Sequence, residues 1–251
     1  MAREYTMTST STTQTVRDIA LQQPTSIRVF EQYGIDYCCG GRKPLAEACA
    51  ASNLEVDAVL AALELAANGP APAAADWSQS SLEALSGHIV ATHHAYVRRE
   101  LPRLTLLAQK VVNRHGDTHA EVPVIQTTLA QLDDELTHHF AKEEAVLFPY
   151  IAELERSIVA GSAKPHSCFG TVSNPIAMMT EEHDAAGALL AEIRQLSHHF
   201  TPPIGACPTY HAFYDGLKEF EQDLHQHIHL ENNILFPRAI NLEATTTNTN
   251  A

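Results

Sequence analysis

The chain has 251 residues, enough for one large domain or a medium one with a small companion; its formal charge of -14, with only 16 Lys and Arg, excludes the clustered basic face that a nucleic-acid backbone or an anionic membrane surface requires. No apolar run approaches the roughly 20 residues that span a bilayer, and the polar start MAREYTMTSTST lacks the apolar core of an export signal. Five cysteines, with Cys38 and Cys39 adjacent, make no secreted disulfide framework and imply a cytoplasmic protein with free thiols, whereas 15 histidines invite a metal if their spacing supports one.

Residues 1–13 are Ser/Thr-rich and aperiodic and are expected to be a disordered tail, as is 243–251, EATTTNTNA. A small helical domain is expected over 14–68. Val16, Ile19, Ala20, Ile27, Val29 and Phe30 mark short helices, Gly34 and DYCCGG (36–41) a turn, and Pro44 the first turn of a further helix. Val56, Val59, Leu60 and Leu63 form the i, i+3, i+4, i+7 stripe of its last helix, roughly 55–67. The stretch NGPAPAAAD breaks that patterning and reads as a linker over 69–77. Beyond it, 78–242 reads as four long helices, at 80–114, 122–157, 174–200 and 208–241, separated by His115-Gly-Asp, the Gly161 region and Thr201-Pro-Pro-Ile-Gly. Short connections make this an antiparallel four-helix bundle, and the fold class is all-α.

The second and fourth helices both read H-x3-E-x3-L-F-P, from His139 to Pro149 and from His227 to Pro237. The 88 residues between His139 and His227 are matched by 89 between His94 and His183, so the bundle looks like a duplicated helical hairpin. A histidine and a glutamate four residues apart share one helix face. Two such pairs, with His94 and His183 from the other helices, place His94, His139, Glu143, His183, His227 and Glu231 in the bundle interior. Four imidazoles and two carboxylates exceed one tetrahedral zinc and lack its structural thiolates. Two octahedral cations bridged by both carboxylates and an oxide would keep about two positions open, and imidazole with carboxylate suits iron, with manganese as the other candidate. Glu135 and Asp223, four residues before His139 and His227, are candidates to accept the second ring N–H of those ligands.

Other residues carry bland readings. His93, His138, His198, His199, His225 and His229 read as exposed helix residues, and His88, about 240° round the helix from His94, as off its face. Leu147, Phe148, Leu235 and Phe236 read as core. Cys49, Cys168 and Cys207 read as incidental, but adjacent Cys38 and Cys39 before Gly-Gly are poor core material. A nearby helix N-terminus would lower their thiol pKa and favour metal or redox chemistry, making them a candidate thiol relay.

YCCGG at 37–41, HHAYVRRELP from His93, KEEAVLFP from Lys142, TEEHDAAG from Thr180 and HIHLENNILFPRA from His227 together resemble the RIC (repair of iron centres) family, a small Cys-Cys-Gly-Gly domain followed by a hemerythrin-like domain. The resemblance covers roughly 14–242 and implies a cytoplasmic protein with two iron ions in a non-haem, oxide-bridged centre, often homodimeric. It also implies production under nitrosative or oxidative stress, with damaged iron-sulfur proteins as partners and nitric oxide as a small ligand. Denitrification-associated nitric-oxide-binding relatives share this build. Three functions follow: repair of iron-sulfur clusters by iron delivery, binding or reduction of nitric oxide, and, weakest, dioxygen carriage, for which hemerythrin uses five histidines against the four well-placed ones here.

Overall fold

The computed structural model describes residues 10–68, 77 and 79–248. The chain divides into two compact units, 1–76 and 77–251. Apart from Trp77, the expected linker lies outside the described residues, as do 1–9 of the N-terminal tail and 249–251 of the C-terminal one.

The first unit is helical, with helices α1 (Val16–Gln22), α2 (Ser26–Tyr33), α3 (Leu45–Ala51) and α4 (Val56–Ala67). The Thr15 side chain caps α1 by accepting from the Asp18 N–H, and Gly34 ends α2 at φ +66°, a conformation that favours glycine. Its core is built on Val16, Phe30, Tyr37, Leu45 and Leu63, all fully buried. The loop between α2 and α3 folds back on α1: the Arg17 N–H donates to the Gly41 carbonyl at 2.7 Å, and a Cβ on Gly41 would lie 2.6 Å from the Tyr37 oxygen. Residues 12–14 are not a free tail, because the Thr12 and Gln14 carbonyls accept from Ala46 and Leu45.

The second unit holds four long helices. Helix α5 runs from Leu82–Ile89 through a widened π turn at Val90–His94 into Ala95–His115; α6 from Glu121–Lys142 through a π turn at Glu143–Leu147 into Phe148–Ala160. Helix α7 is Ser173–Leu196, and α8 runs from Pro208–His229 through a π turn at Leu230–Leu235 into Phe236–Asn248. Helix α5 packs on α6 and α8, and α6 on α7. One end is closed by an apolar cluster that includes Leu85, Ile89, Leu147, Phe148, Leu235 and Phe236, the last four of them expected as core from the sequence. No strand occurs among the described residues.

Two boundaries depart from the sequence reading. Helix α7 stops at Leu196 rather than 200, since His198, His199 and Phe200 take φ of +48°, +56° and +59°. Three successive left-handed residues other than glycine cost about 1–2 kcal/mol each, a strain held by the Ser197 hydroxyl accepting from the Phe200 N–H. At the C-terminus the expected disordered tail is helical through Asn248. Glu243 explains this: it is buried and accepts from the Tyr150 hydroxyl at 2.7 Å, the Val172 N–H at 2.9 Å and Lys164 Nζ at 2.8 Å.

Burial pushes the Glu243 carboxyl upward, but Lys164, Tyr150 and the Val172 amide outweigh it and hold it below the usual range. A carboxyl lowered on folding contributes stability that is fully present above its unfolded pKa, about 4.3, and is lost as pH falls through the folded value. Replacing Glu243 with Ala should therefore cost about 2–3 kcal/mol in urea unfolding at neutral pH, and the gap to wild type should close as the pH is taken below about 4.

Candidate metal centre

The LFP repeat builds the widened turns of α6 and α8. Pro149 and Pro237 have no N–H to give to the carbonyls four residues back, Ala145 and Asn233, and both carbonyls fall inside the π turns. Those turns carry Glu143 and Glu231, and the π turn of α5 ends on His94, although no proline follows it as closely.

All six sequence candidates converge. His94, Glu143, His227 and Glu231 form one group with ligand atoms within 4.8 Å of one another; His139, Glu143, His183 and Glu231 form a second, and both glutamates belong to both. Every member is buried. In the first group His94 Nε2 and His227 Nε2 stand 3.2 Å apart, and in the second His139 Nε2 and His183 Nε2 stand 3.0 Å apart. Two donors bonded at about 2.1 Å to one cation at right angles sit about 3 Å apart. Both Glu143 oxygens are buried without accepting a hydrogen bond, although His94 Nε2 and His139 Nε2 lie 3.4 and 3.3 Å away. Orphaned carboxylate oxygens among converging imidazole nitrogens fit a pair of cations bridged by carboxylate, and fit no neutral core.

For three of the four imidazoles a partner on the outer face decides the tautomer. His94 Nδ1 meets Glu144 at 2.6 Å, His139 Nδ1 meets Glu182 at 2.8 Å, and His183 Nδ1 meets Asn232 at 2.9 Å. With the ring proton on Nδ1, each Nε2 presents a lone pair inward. Arg98 anchors Glu144 at 2.8 Å, and Lys142 pairs with Glu182. The His227 Nδ1 is buried without a partner.

Four sequence readings are corrected here. Glu135 accepts from Gln131, leaving His139 to Glu182, and Asp223 pairs with His93 at 3.0 Å instead of His227. A carboxylate one turn earlier on the same helix points along the ligand's helix, whereas the outer nitrogen faces the neighbouring helix. His93 and His229 are buried rather than exposed, held by Asp223 and Asn233. Glu144, Glu182 and Asn232 each adjoin a proposed ligand in sequence and serve the ligand of another helix; that adjacency was the signal available.

The field of the site is mixed. Burial and the neighbouring Glu231 push the Glu143 carboxyl upward, but His139 and His94 outweigh them and hold it below the usual range; Glu231 lies well below it, because His227 and His183 overcome its burial. Burial alone would lower His139, yet Glu143 and Glu231 raise it to about 9, whereas His227 is lowered because its burial dominates. A cavity of about 280 Å³ lined by Asp134, Glu135, Lys142 and Glu182 reaches His139 and His183.

In the first unit, Asp36, Cys38 and Cys39 also bring ligand atoms within 4.8 Å of one another. The Asp36 carboxylate accepts the N–H groups of Cys38, Cys39 and Gly40 at 2.9, 3.0 and 2.7 Å, and Cys38 Sγ stands 3.7 Å from Cys39 Sγ. The expectation of a lowered Cys38 thiol is overturned: the hydrogen bond to Cys39, burial and the Asp36 charge push it well above the ordinary value. The next helix begins only at Leu45, too far along the chain to act on the thiol.

Because each glutamate serves both groups, replacing Glu143 or Glu231 with Ala should remove most of both metals, whereas His138→Ala, on an exposed side chain, should retain them. Metal analysis after anaerobic iron loading reads the difference, and full retention in both Glu variants would sink the bridging arrangement.

Residues 85–239 match the hemerythrin HHE cation binding domain, and residues 12–67 match ScdA_N, a domain of unknown function (DUF542). The chain is 39% identical over 227 residues, 90% of its length and 96% of the relative's, to the iron-sulfur cluster repair protein YtfE of Yersinia pseudotuberculosis serotype O:1b (strain IP 31758). It is 38% identical, with the same coverage, to the YtfE of Yersinia pestis (strain Pestoides F). A cation-binding domain and two adjoining His/Glu groups bear out the expected non-haem di-iron cofactor. The chain belongs to the RIC (repair of iron centres) family, an ScdA_N domain followed by a hemerythrin HHE domain.

Proposed function

We propose that this protein repairs damaged iron-sulfur clusters under nitrosative or oxidative stress by delivering iron, with His94, His139, Glu143, His183, His227 and Glu231 as its iron ligands. The observation that carries this reading is the pair of His/Glu groups sharing both glutamates. The relatives named as iron-sulfur cluster repair proteins support the choice of task, and damaged iron-sulfur proteins are then its partners. No helix of the described residues is long and apolar enough to cross a membrane, and we place the protein in the cytoplasm, where free thiols persist.

A bound iron pair supplies Lewis acidity and one-electron chemistry. The chain's own residues do the rest. Glu144, Glu182 and Asn232 hold three imidazoles with their lone pairs inward, and the buried carboxylates balance the cation charge. Four imidazoles for two cations leave positions for exchange, which suits delivery better than permanent retention. In the first unit the Cys38 thiol holds its proton at neutral pH; a cation arriving between Asp36, Cys38 and Cys39 would displace it, as metal binding to thiols does. These cysteines are thus proposed as the relay to the acceptor.

A Cys38→Ser, Cys39→Ser double variant should keep the iron spectrum of the bundle and lose most transfer to an apo iron-sulfur acceptor in the presence of a competing chelator. Equal transfer rates would remove the thiols from the path, and transfer abolished by the chelator in wild type as well would mean that iron only leaks.

The cavity at His139 and His183 favours a second reading, binding or reduction of nitric oxide, because it is large enough for a diatomic ligand. Stopped-flow mixing of the reduced protein with nitric oxide should give an iron-nitrosyl spectrum; no change over minutes would count against this role.

A further inference from the structure

Two histidines beside the centre belong to neither cation group, and a third ring continues their line outward. The chain's single tryptophan, Trp77, stacks on His88 with centroids 4.3 Å apart and planes 26° apart. His88 meets His93 edge-on at 5.8 Å, and His93 lies parallel to His227, a proposed ligand, at 5.7 Å and 7°. The row is fixed along its length. Arg238 holds the Trp77 carbonyl at 2.7 Å and also reaches the Ser80 carbonyl, and Asp223 holds His93 Nδ1 at 3.0 Å. Trp77 is half-buried against the apolar cluster, so one end of the row reaches the surface and the other is a ring of the first metal group.

An aliphatic side chain would fill the place of His93 without burying a polar ring, so packing alone does not account for it. Electron tunnelling decays exponentially with distance and is faster through rings in contact than across gaps. We infer that Trp77, His88 and His93 form the path by which an external one-electron donor reduces the iron pair through His227. The cavity reaches His139 and His183 in the other group, so electrons and small ligands would enter at opposite metals. The donor is a protein of the ferredoxin class: its reduced cluster loses one electron, one ferric ion becomes ferrous, and two donors reduce the pair. No bond forms or breaks along the rings. His88 and His93 act by position, since neither belongs to a cation group.

The inference rests on the two-iron reading, and its test separates the two. Iron-loaded wild type, Trp77→Leu, His88→Leu and His88→Phe are mixed in stopped flow with a reduced ferredoxin, after metal analysis of each. Both Leu variants should be reduced about tenfold or more slowly than wild type, and His88→Phe, which restores a ring, should recover most of the rate. Dithionite, small enough to use the cavity, should reduce all four alike. In the iron-free protein, emission from Trp77 should change in wavelength or intensity in His88→Leu, because the ring stacked on the indole is gone. Wild-type rates in both Leu variants, a His88→Phe as slow as His88→Leu, an equal slowing by dithionite, or unchanged emission without iron would each overturn the path. A wild type that holds no iron would overturn the two-iron reading, while the emission of the iron-free protein still tests the stack.

Discussion

Two glutamates buried at the middle of a four-helix bundle, each within reach of four imidazoles, set the terms for the rest of this structure. A carboxylate without solvent is costly unless it is paired or bound to metal. Here burial and mutual repulsion oppose ionisation of Glu143, and the surrounding imidazoles overcome them. Helices α5 to α8 must each deliver a histidine or a His/Glu pair to one small volume, which constrains where every helix may bend. The π turns before Phe148-Pro149 and Phe236-Pro237 meet that constraint locally: the proline removes a helical hydrogen bond, the turn widens, and the glutamate in it enters the core.

The two metal groups share carboxylates but differ in support. One holds His139 through Glu182 and His183 through Asn232, and opens to a cavity. The other holds His94 through Glu144 and leaves the His227 Nδ1 unpartnered beside the His93 ring. A carboxylate on Nδ1 makes an imidazole a stronger donor than a neutral amide or no partner does, so two cations held here would meet unequal ligands. Unequal sites would suit the proposed entry of electrons and release of one cation without loss of both.

The small unit applies a related logic without a resident charge pair. Its loop wraps backbone N–H groups around Asp36, and the hydrogen bond to Cys39 and burial, with that fixed carboxylate beside them, keep Cys38 protonated. A thiol in that state is a poor nucleophile and a poor ligand until a cation competes for its proton. For the proposed relay, such an arrangement would favour brief occupancy over storage.

The sequence by itself determined the all-α class, the four bundle helices and the six convergent residues, because residue type and helical spacing are local properties and the duplicated H-x3-E-x3-L-F-P motif repeats them. It also marked Gly34 and the Cys-Cys-Gly-Gly loop as turns. Only the tertiary structure decided which polar side chain serves which imidazole: the Glu144 and Glu182 carboxylates and the Asn232 amide, in place of Glu135 and Asp223. Neighbouring helices set those pairings, and no spacing along one helix encodes the distance between two. The same reason buried His93 and His229, lined up Trp77, His88 and His93 beside His227, and kept the last helix ordered through Glu243. A polar residue far apart in sequence from its partner has no local signature, and its role appears only when packing sets the two side by side.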